Sequence, residues 1–121
     1  MSDINHIGPA GEAIAEKHLI EKGYKILNRN WKCGQKEIDI IAENDNYIVF
    51  VEVKTRKDDY YLHPRDAVTT QKQKMIIYAA ESYLKIYNID KECRFDIISV
   101  ISEGNSFTVE HIEDAFYPTL R

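Results

Sequence analysis

The sequence predicts one α/β domain, residues 1–121, in which a mixed central β-sheet is flanked by helices in the order α-β-β-β-α-β-β. Three observations support this. The length is that of a single domain with its own core. Two segments show apolar residues at helical spacing, and five short runs are rich in β-branched and aromatic residues. Because strands two and three are joined by a tight turn while the fourth is reached across a helix, both antiparallel and parallel pairs are expected.

The two helices are marked by their spacing and their ends. The first is predicted over "PAGEAIAEKHLIEKG", with Pro9 and Gly11 at its start. The second is predicted over residues 69–87, where apolar residues recur at three and four, with Thr69 or Thr70 as its N-cap.

The strands are five short runs bounded by turn residues. Asn44, Asp45 and Asn46 separate the second strand from the third and favour a hairpin, because these residue types tolerate tight turns. The predicted strands are "YKILNRNWK", "KEIDIIAE", "YIVFVEVKT", "RFDIISVIS" and "FTVEHIE".

The hairpin fixes which residues face each other. If the turn is centred between Asp45 and Asn46, facing residues have numbers that sum to 91. Asp39 then lies opposite Glu52, and Glu37 lies opposite Lys54, where it would hold the lysine amine. All four side chains point to one side of the sheet. The other side is predicted to be a core face, formed by Ile38, Ile40, Val51 and Val53.

Facing carboxylates indicate a cation site. Asp39 and Glu52 would lie roughly 5 Å apart between Cβ atoms, so they should repel each other and raise one pKa. Mg²⁺ or Mn²⁺ is the natural neutraliser, because hard oxygen ligands suit such ions. Lys54 would lie beside the metal, and Glu12 lies in angular line with the inward side of the first helix.

Simpler interpretations exist for each residue taken alone. An acid and a lysine two residues apart on a strand are typical of a solvated or cross-strand ion pair. Glu12 alone would be explained by a favourable interaction with the helix dipole. On that basis the chain would be a small α/β interaction domain with a surface ion-pair cluster. The three carboxylates brought together by the register favour a metal site.

Charge is unevenly distributed along the chain. The net charge of −4 argues against a protein that coats nucleic acid through bulk positive potential. The segment from Lys54 to Lys74 nevertheless holds six bases and three acids. Its candidate contacts to a nucleic-acid backbone are Arg56, Lys57, Lys72 and Lys74, with His63 a weaker phosphate candidate and Tyr60 and Tyr61 candidates for base stacking.

Cysteine usage and hydropathy predict a cytoplasmic protein without a membrane segment. Cys33 and Cys93 match no zinc or redox motif and are expected to be buried, reduced thiols. The N-terminal residues lack a basic stretch followed by an apolar one, and no apolar run approaches the roughly 18 residues of a membrane span.

The spacing of Glu12, Asp39 and the "EVK" at residues 52–54 resembles the signature of the PD-(D/E)xK nuclease superfamily, which has the restriction-endonuclease-like fold. The leading helical glutamate resembles the archaeal Holliday-junction resolvases. Nearly the whole chain is similar to the YraN-like family of small, functionally uncharacterised bacterial proteins. The blocks that carry this similarity are "GPAGEAIAEKHL", "GYKILNRNW", "KEIDIIA", "VFVEVKTR", the "AV…QKQK…AA…YL" helix, "RFDIISV" and a closing "AF".

The resemblance implies a role for each matching residue. Asp39 and Glu52 would be metal ligands, Glu12 an additional acidic site residue and Lys54 the catalytic lysine. The chain departs from the family at Lys36, where glycine usually precedes the "EID" block. A lysine there changes how closely the backbone can approach a substrate, and it could itself contact a phosphate.

These observations lead to two functional hypotheses. The first is a Mg²⁺- or Mn²⁺-dependent endonuclease that hydrolyses DNA phosphodiester bonds, on branched or otherwise structured DNA. The second is a non-catalytic nucleic-acid-binding module, or an adaptor for a partner in DNA repair or recombination. A homodimer would suit an enzyme that cuts two strands, although no sequence feature demands one.

Overall fold

A computed structural model describes residues 4–57 and 68–118, with side chains in the first helix described from Ala10 onward. The observed element order is the predicted one. The elements are α1 (Ile4–Glu21), β1 (Lys25–Cys33), β2 (Lys36–Glu43), β3 (Tyr47–Lys57), α2 (Thr70–Ile86), β4 (Glu92–Glu103) and β5 (Ser106–Phe116).

The five strands form one mixed sheet in the order β1-β2-β3-β4-β5. The β3–β4 pair is parallel and the other three pairs are antiparallel, as expected for a crossover through α2. The chain therefore has the single α/β domain architecture that its periodicity predicts.

Both faces of the sheet are covered, which explains the long apolar run of β3. Ile48 and Phe50 pack under α2, whereas Val49 and Val51 pack under α1. The sequence predicted a core on one face only, the face opposite Glu52, formed by Ile38, Ile40, Val51 and Val53. Of these, Ile38 packs instead in the core under α2. The face that carries Glu52 is also a core, because α2 covers it.

Helix α1 begins earlier than predicted. It starts at Ile4, so Pro9 and Gly11 lie inside it rather than at its first turn. Gly11 has a packing role instead: a Cβ atom there would lie 2.0 Å from Cγ2 of Thr55 on β3. The missing side chain lets α1 approach the sheet one residue before Glu12.

The start of α2 agrees with prediction. The Thr69 hydroxyl accepts a hydrogen bond from the Lys72 backbone N–H at 3.2 Å, which identifies Thr69 as the N-cap. Lys72 therefore lies in the first turn of the helix.

The predicted hairpin register is confirmed. The Asn44 side chain accepts hydrogen bonds from the backbone N–H groups of Asn46 and Tyr47, which fixes the turn. Ile40 pairs with Val51 and Ile41 with Phe50, so facing numbers sum to 91.

The β2–β3 pairing stops at Ile40 and Val51, one residue before Asp39 and Glu52. Beyond this point β2 remains paired with β1, and β3 remains paired with β4 as far as Lys57. The two central strands therefore separate. We call the opening between residues 36–39 of β2 and residues 52–57 of β3 the fork.

Cys33 and Cys93 are free thiols, each half-buried at the margin of the α2-side core. Within the described ranges, neither helix is long and apolar enough to cross a membrane.

Candidate active site

Asp39 and Glu52 lie at the base of the fork. Asp39 Oδ2 accepts a hydrogen bond from the Val53 backbone N–H at 2.8 Å, so a side chain replaces the strand pairing that ends at Ile40. Glu52 is only 4% exposed. Two buried or partly buried carboxylates therefore meet where β2 and β3 part.

The environment of Asp39 disfavours its charged form. Burial is the largest cause, and the negative charge of Glu52 is the second. The hydrogen bond from Val53 acts in the opposite direction, while the charges of Glu12 and Glu37 add to the rise. Together they raise the pKa of Asp39 from 3.8 to about 7, so this carboxyl exchanges its proton near neutral pH.

Two lysines face Glu52. The Lys54 Nζ lies 3.8 Å from Glu52 Oε2, and the Lys72 Nζ lies 3.5 Å from the same oxygen. Lys54 was predicted beside Glu52 and is found there. Lys72 was predicted as a phosphate contact at the start of α2, and sequence periodicity alone did not reveal its contact with Glu52.

The predicted pairing of Lys54 with Glu37 was wrong. Within the described ranges, Glu37 instead forms an ion pair with Lys32 at 3.5 Å and accepts a hydrogen bond from Asn30 Nδ2 at 2.8 Å. The physical reason is the fork: once the strands separate, residues that the register places face to face are no longer adjacent.

Glu12 is connected to the site through Asn30. Asn30 Nδ2 donates to Glu12 Oε1 at 3.1 Å as well as to Glu37, and the charge of Glu12 contributes to the raised pKa of Asp39. The inward orientation predicted for Glu12 agrees with these contacts. Asn30 has a φ of 49° and was missed; an asparagine inside a strand, a type that tolerates positive φ, was the available signal.

The candidate nucleic-acid contacts separate into groups. Lys57 and Lys74 are exposed, as a phosphate contact requires. Arg56 is 11% exposed and forms an ion pair with Glu110 at 3.4 Å, so it is already engaged within the fold. His63, Tyr60 and Tyr61 fall outside the described residues.

A small cavity adjoins the site on the α1 side of the sheet. Its volume is about 250 Å³. An ion pair between Arg29 and Glu16 forms part of its wall, with Arg29 Nε 2.8 Å from Glu16 Oε1. The lining residues are Glu12, Ala13, Glu16, Arg29 and Ile40.

The donor set fits an open metal site rather than a closed one. Among residues 4–57 and 68–118, no three His, Cys, Asp or Glu side chains are grouped so as to hold a metal ion. Asp39 and Glu52 supply two hard oxygen donors, which suits Mg²⁺, an ion that keeps several waters and binds substrate phosphate. Burial is the largest cause of the raised pKa of Asp39, and a cation would relieve the second cause, the repulsion from Glu52.

A second buried acid, Asp96 on β4, lies on the α1 side of the sheet. It is fully buried and accepts hydrogen bonds from Arg94 Nε at 2.9 Å, Arg94 Nη2 at 2.8 Å and the Asp114 backbone N–H at 3.0 Å. His111 Nε2 lies 2.7 Å from Asp96 Oδ2, and His111 Nδ1 lies 3.1 Å from His18 Nε2 on α1. The sequence did not indicate this cluster.

Comparison with known proteins gives a family for the chain. The model of the uncharacterised protein family UPF0102 matches residues 11–100. A UPF0102 protein of Phocaeicola vulgatus is 48% identical, and one of Bacteroides thetaiotaomicron is 46% identical, each over 99% of both chains. Among solved structures, Pyrococcus furiosus SfsA in complex with Ca²⁺ is 16% identical with a TM-score of 0.35. That match covers 90% of this chain and 63% of SfsA.

Proposed function

We propose that this chain, which belongs to the UPF0102 family of the restriction-endonuclease-like superfamily, is a metal-dependent phosphodiesterase that hydrolyses DNA. The carboxylate pair at the fork carries the proposal. A pKa of about 7 for Asp39, caused by burial and by the charge of Glu52, is typical of a functional site rather than of a surface ion pair.

Asp39 and Glu52 would hold Mg²⁺ or Mn²⁺. When bound, such an ion polarises a phosphoryl oxygen and lowers the pKa of a coordinated water. Glu52 is kept in place by burial and by its two lysine neighbours, and Asp39 by the hydrogen bond that it accepts from the Val53 N–H. Both carboxylates are therefore preorganised on strands rather than on loops.

Lys54 is suited to contact the reacting phosphate or the attacking water. Its side chain is 36% exposed, so the ammonium is accessible while it stays within 3.8 Å of Glu52. A cation fixed beside the site stabilises the negative charge that develops on the phosphoryl oxygens. Lys72 on α2 adds a second positive charge beside the same oxygen of Glu52.

Accessible lysines around the fork support a nucleic-acid substrate. Lys57 follows the site at the end of β3, and Lys74 lies in the second turn of α2. Both are exposed and would contact phosphates on either side of the cleaved bond. DNA that is branched or otherwise structured is the substrate class we propose.

Calorimetry tests the metal site. Mn²⁺ should bind the wild-type protein and fail to bind the Asp39→Ala, Glu52→Ala double variant. Glu92→Gln removes an exposed acid at the start of β4 and serves as the matched control, so it should bind Mn²⁺ as the wild type does. Equal heats for the wild type and the double variant would rule out the metal site.

Cleavage assays test the activity. Duplex, flapped, four-way and single-stranded DNA are incubated with Mn²⁺ and wild-type or Lys54→Ala protein. Metal-dependent cleavage that Lys54→Ala loses supports the enzyme.

One observation favours a second candidate, a non-catalytic nucleic-acid-binding or adaptor module. Two ammonium groups lie within 4 Å of Glu52, so its charge is balanced by the protein itself. Tight binding to the same DNA panel without cleavage under any metal condition would support this module over the enzyme.

A further inference from the structure

Helix α2 presents an exposed aromatic ring on the same side as the proposed site. Tyr78 is 55% exposed, and the Lys36 Nζ lies 4.8 Å from the centroid of its ring. The ammonium covers part of the ring by a cation–π contact. Much of the side chain remains open to solvent beside the Lys36 ammonium.

This pair is close to the fork along both elements. Lys36 precedes Asp39 by three residues on β2, which corresponds to about 10 Å along the strand. Tyr78 follows Lys72 by six residues on α2, which corresponds to about 9 Å along the helix. Because Lys36 lies in the fork and contacts the Tyr78 ring, a strand bound at the fork would pass beside this ring.

The charges around Tyr78 suit a polyanion. Lys74 precedes Tyr78 by one helical turn and is exposed on the same face. Glu81 is an exposed acid that follows Tyr78 by three residues, one turn farther from Lys72 along the helix. Lys36 and Lys74 therefore supply positive charge around the ring.

We infer that Tyr78 and Lys36 form a stacking platform for an unpaired nucleobase of the DNA strand held at the fork. This rests on the proposed function and specifies its substrate class, DNA with unpaired nucleotides next to the cleaved bond. Every base has a π-face, so such a platform accepts any sequence. A duplex cannot use it, because its bases are stacked on one another and do not reach a ring on a convex helix surface.

The lysine and the ring contribute separately to the platform. With glycine at position 36 no ammonium would cover the ring, and Tyr78 would lose both its positive neighbour and the contact that restrains it. Lys36→Gly therefore removes the charge while it leaves the ring in place, and it separates the two contributions.

Binding of a short fluorescent oligothymidylate, measured by anisotropy in EDTA so that no cleavage occurs, tests the inference. Tyr78→Ala should weaken binding by about 5- to 150-fold, the range for loss of one stacked base. Tyr78→Phe should bind as the wild type, and Lys36→Gly should bind more weakly. Phe107→Ala removes an exposed aromatic from the opposite edge of the sheet and should bind unchanged. A duplex of matched length should bind wild type and Tyr78→Ala equally.

The inference is overturned if wild-type protein does not bind the oligothymidylate or if Tyr78→Ala binds it with unchanged affinity. It is also overturned if Tyr78→Ala weakens binding of the duplex as much as binding of the single strand. Failure of the proposed function has a different signature. If wild-type protein shows no Mn²⁺-dependent cleavage but oligothymidylate binding still depends on Tyr78, the enzyme proposal fails. The stacking platform would then belong to a non-catalytic binding module.

Discussion

Asp39 is partly buried and Asp96 is fully buried in the same sheet, and their surroundings differ. Burial would raise the pKa of Asp96, but hydrogen bonds from His111, Arg94 and the Asp114 N–H outweigh it and lower that pKa. Asp39 receives one backbone hydrogen bond, and burial, followed by the charge of Glu52, raises its pKa to about 7. Asp96 is therefore a charged structural centre, whereas Asp39 is a charge that the fold leaves uncompensated.

The difference shows how to separate structural from functional acids. A buried carboxylate costs free energy unless partners satisfy it, and evolution can supply those partners within the fold or leave them to a ligand. At Asp96 the partners come from β4 and β5. At Asp39 most of these partners are absent from the described part of the chain because the strands separate at the fork. The repulsion from Glu52 would therefore favour the binding of a cation.

Removing the Asp96 carboxylate should give the largest change in stability. Asp96→Ala leaves Arg94, whose side chain is 11% exposed, without its main partner, and we expect a loss of about 3–5 kcal/mol in the free energy of unfolding. Urea denaturation at pH 7 measures it. Glu113→Ala removes the exposed acid 4.0 Å from the same arginine and should cost less than about 1 kcal/mol. Equal losses would mean that Asp96 is not the centre of the cluster.

Neutralising Asp39 should increase the free energy of unfolding, whereas removing Asp96 should decrease it. Because the folded-state pKa exceeds the unfolded value of 3.8, the contribution of Asp39 to wild-type stability is greatest below pH 3.8 and is lost as pH rises to about 7. Asp39→Asn, whose amide oxygen can still accept from Val53, should therefore raise the free energy of unfolding by about 2–4 kcal/mol at pH 8. The gain should vanish near pH 4. If Asp39→Asn were less stable than the wild type at pH 8, the conclusion that the charge of Asp39 is uncompensated would be wrong.

Metal affinity should follow the protonation of Asp39. A cation binds the ionised carboxylate, so Mn²⁺ affinity should weaken about tenfold for each pH unit below 7 and level off above pH 8. Calorimetric titrations at several pH values measure this, with Glu92→Gln as a control that keeps the same profile. A flat profile between pH 6 and pH 8 would place the metal, if bound, away from Asp39.

The outer histidine of the Asp96 cluster should have the smallest effect. Burial, and then the charge of His111, lower the pKa of His18 below 6.5. The unfolded chain then takes up the proton first, so stability falls as pH drops below 6.5. His18→Gln should remove this loss, which partial exposure limits to less than about 1 kcal/mol. Thermal denaturation of both proteins at pH 7.5 and pH 5.5 measures the difference, and an equal pH dependence would exclude His18 as its source.

Local sequence determined much of the fold and part of the site. The turn residues at Asn44 set the hairpin register, and helical spacing with Thr69 located α2. These are short-range effects that a sequence displays directly. The facing of Asp39 and Glu52 followed from the register.

The remaining features depend on contacts distant in sequence. The end of pairing at Ile40 arises from how β1 and β4 hold the two central strands, which periodicity does not encode. The approach of Lys72 to Glu52 depends on where α2 lies across the sheet. Two partners of Asp96, His111 and Asp114, lie on the next strand and follow it by 15 and 18 positions in the sequence. The bulge between Phe95 and Ile97 obscures their alignment with Asp96.

Because the Val53 amide donates a hydrogen bond to Asp39, the charge state of the site can be followed through a backbone group. This amide proton is held by a carboxylate that titrates near neutral pH, instead of by a carbonyl whose charge is fixed. In spectroscopic terms, the nuclear magnetic resonance frequency of the Val53 amide and its rate of exchange with solvent follow the charge on Asp39. One main-chain resonance would thereby report the protonation of Asp39, and a cation at the proposed site, without a probe attached to the protein.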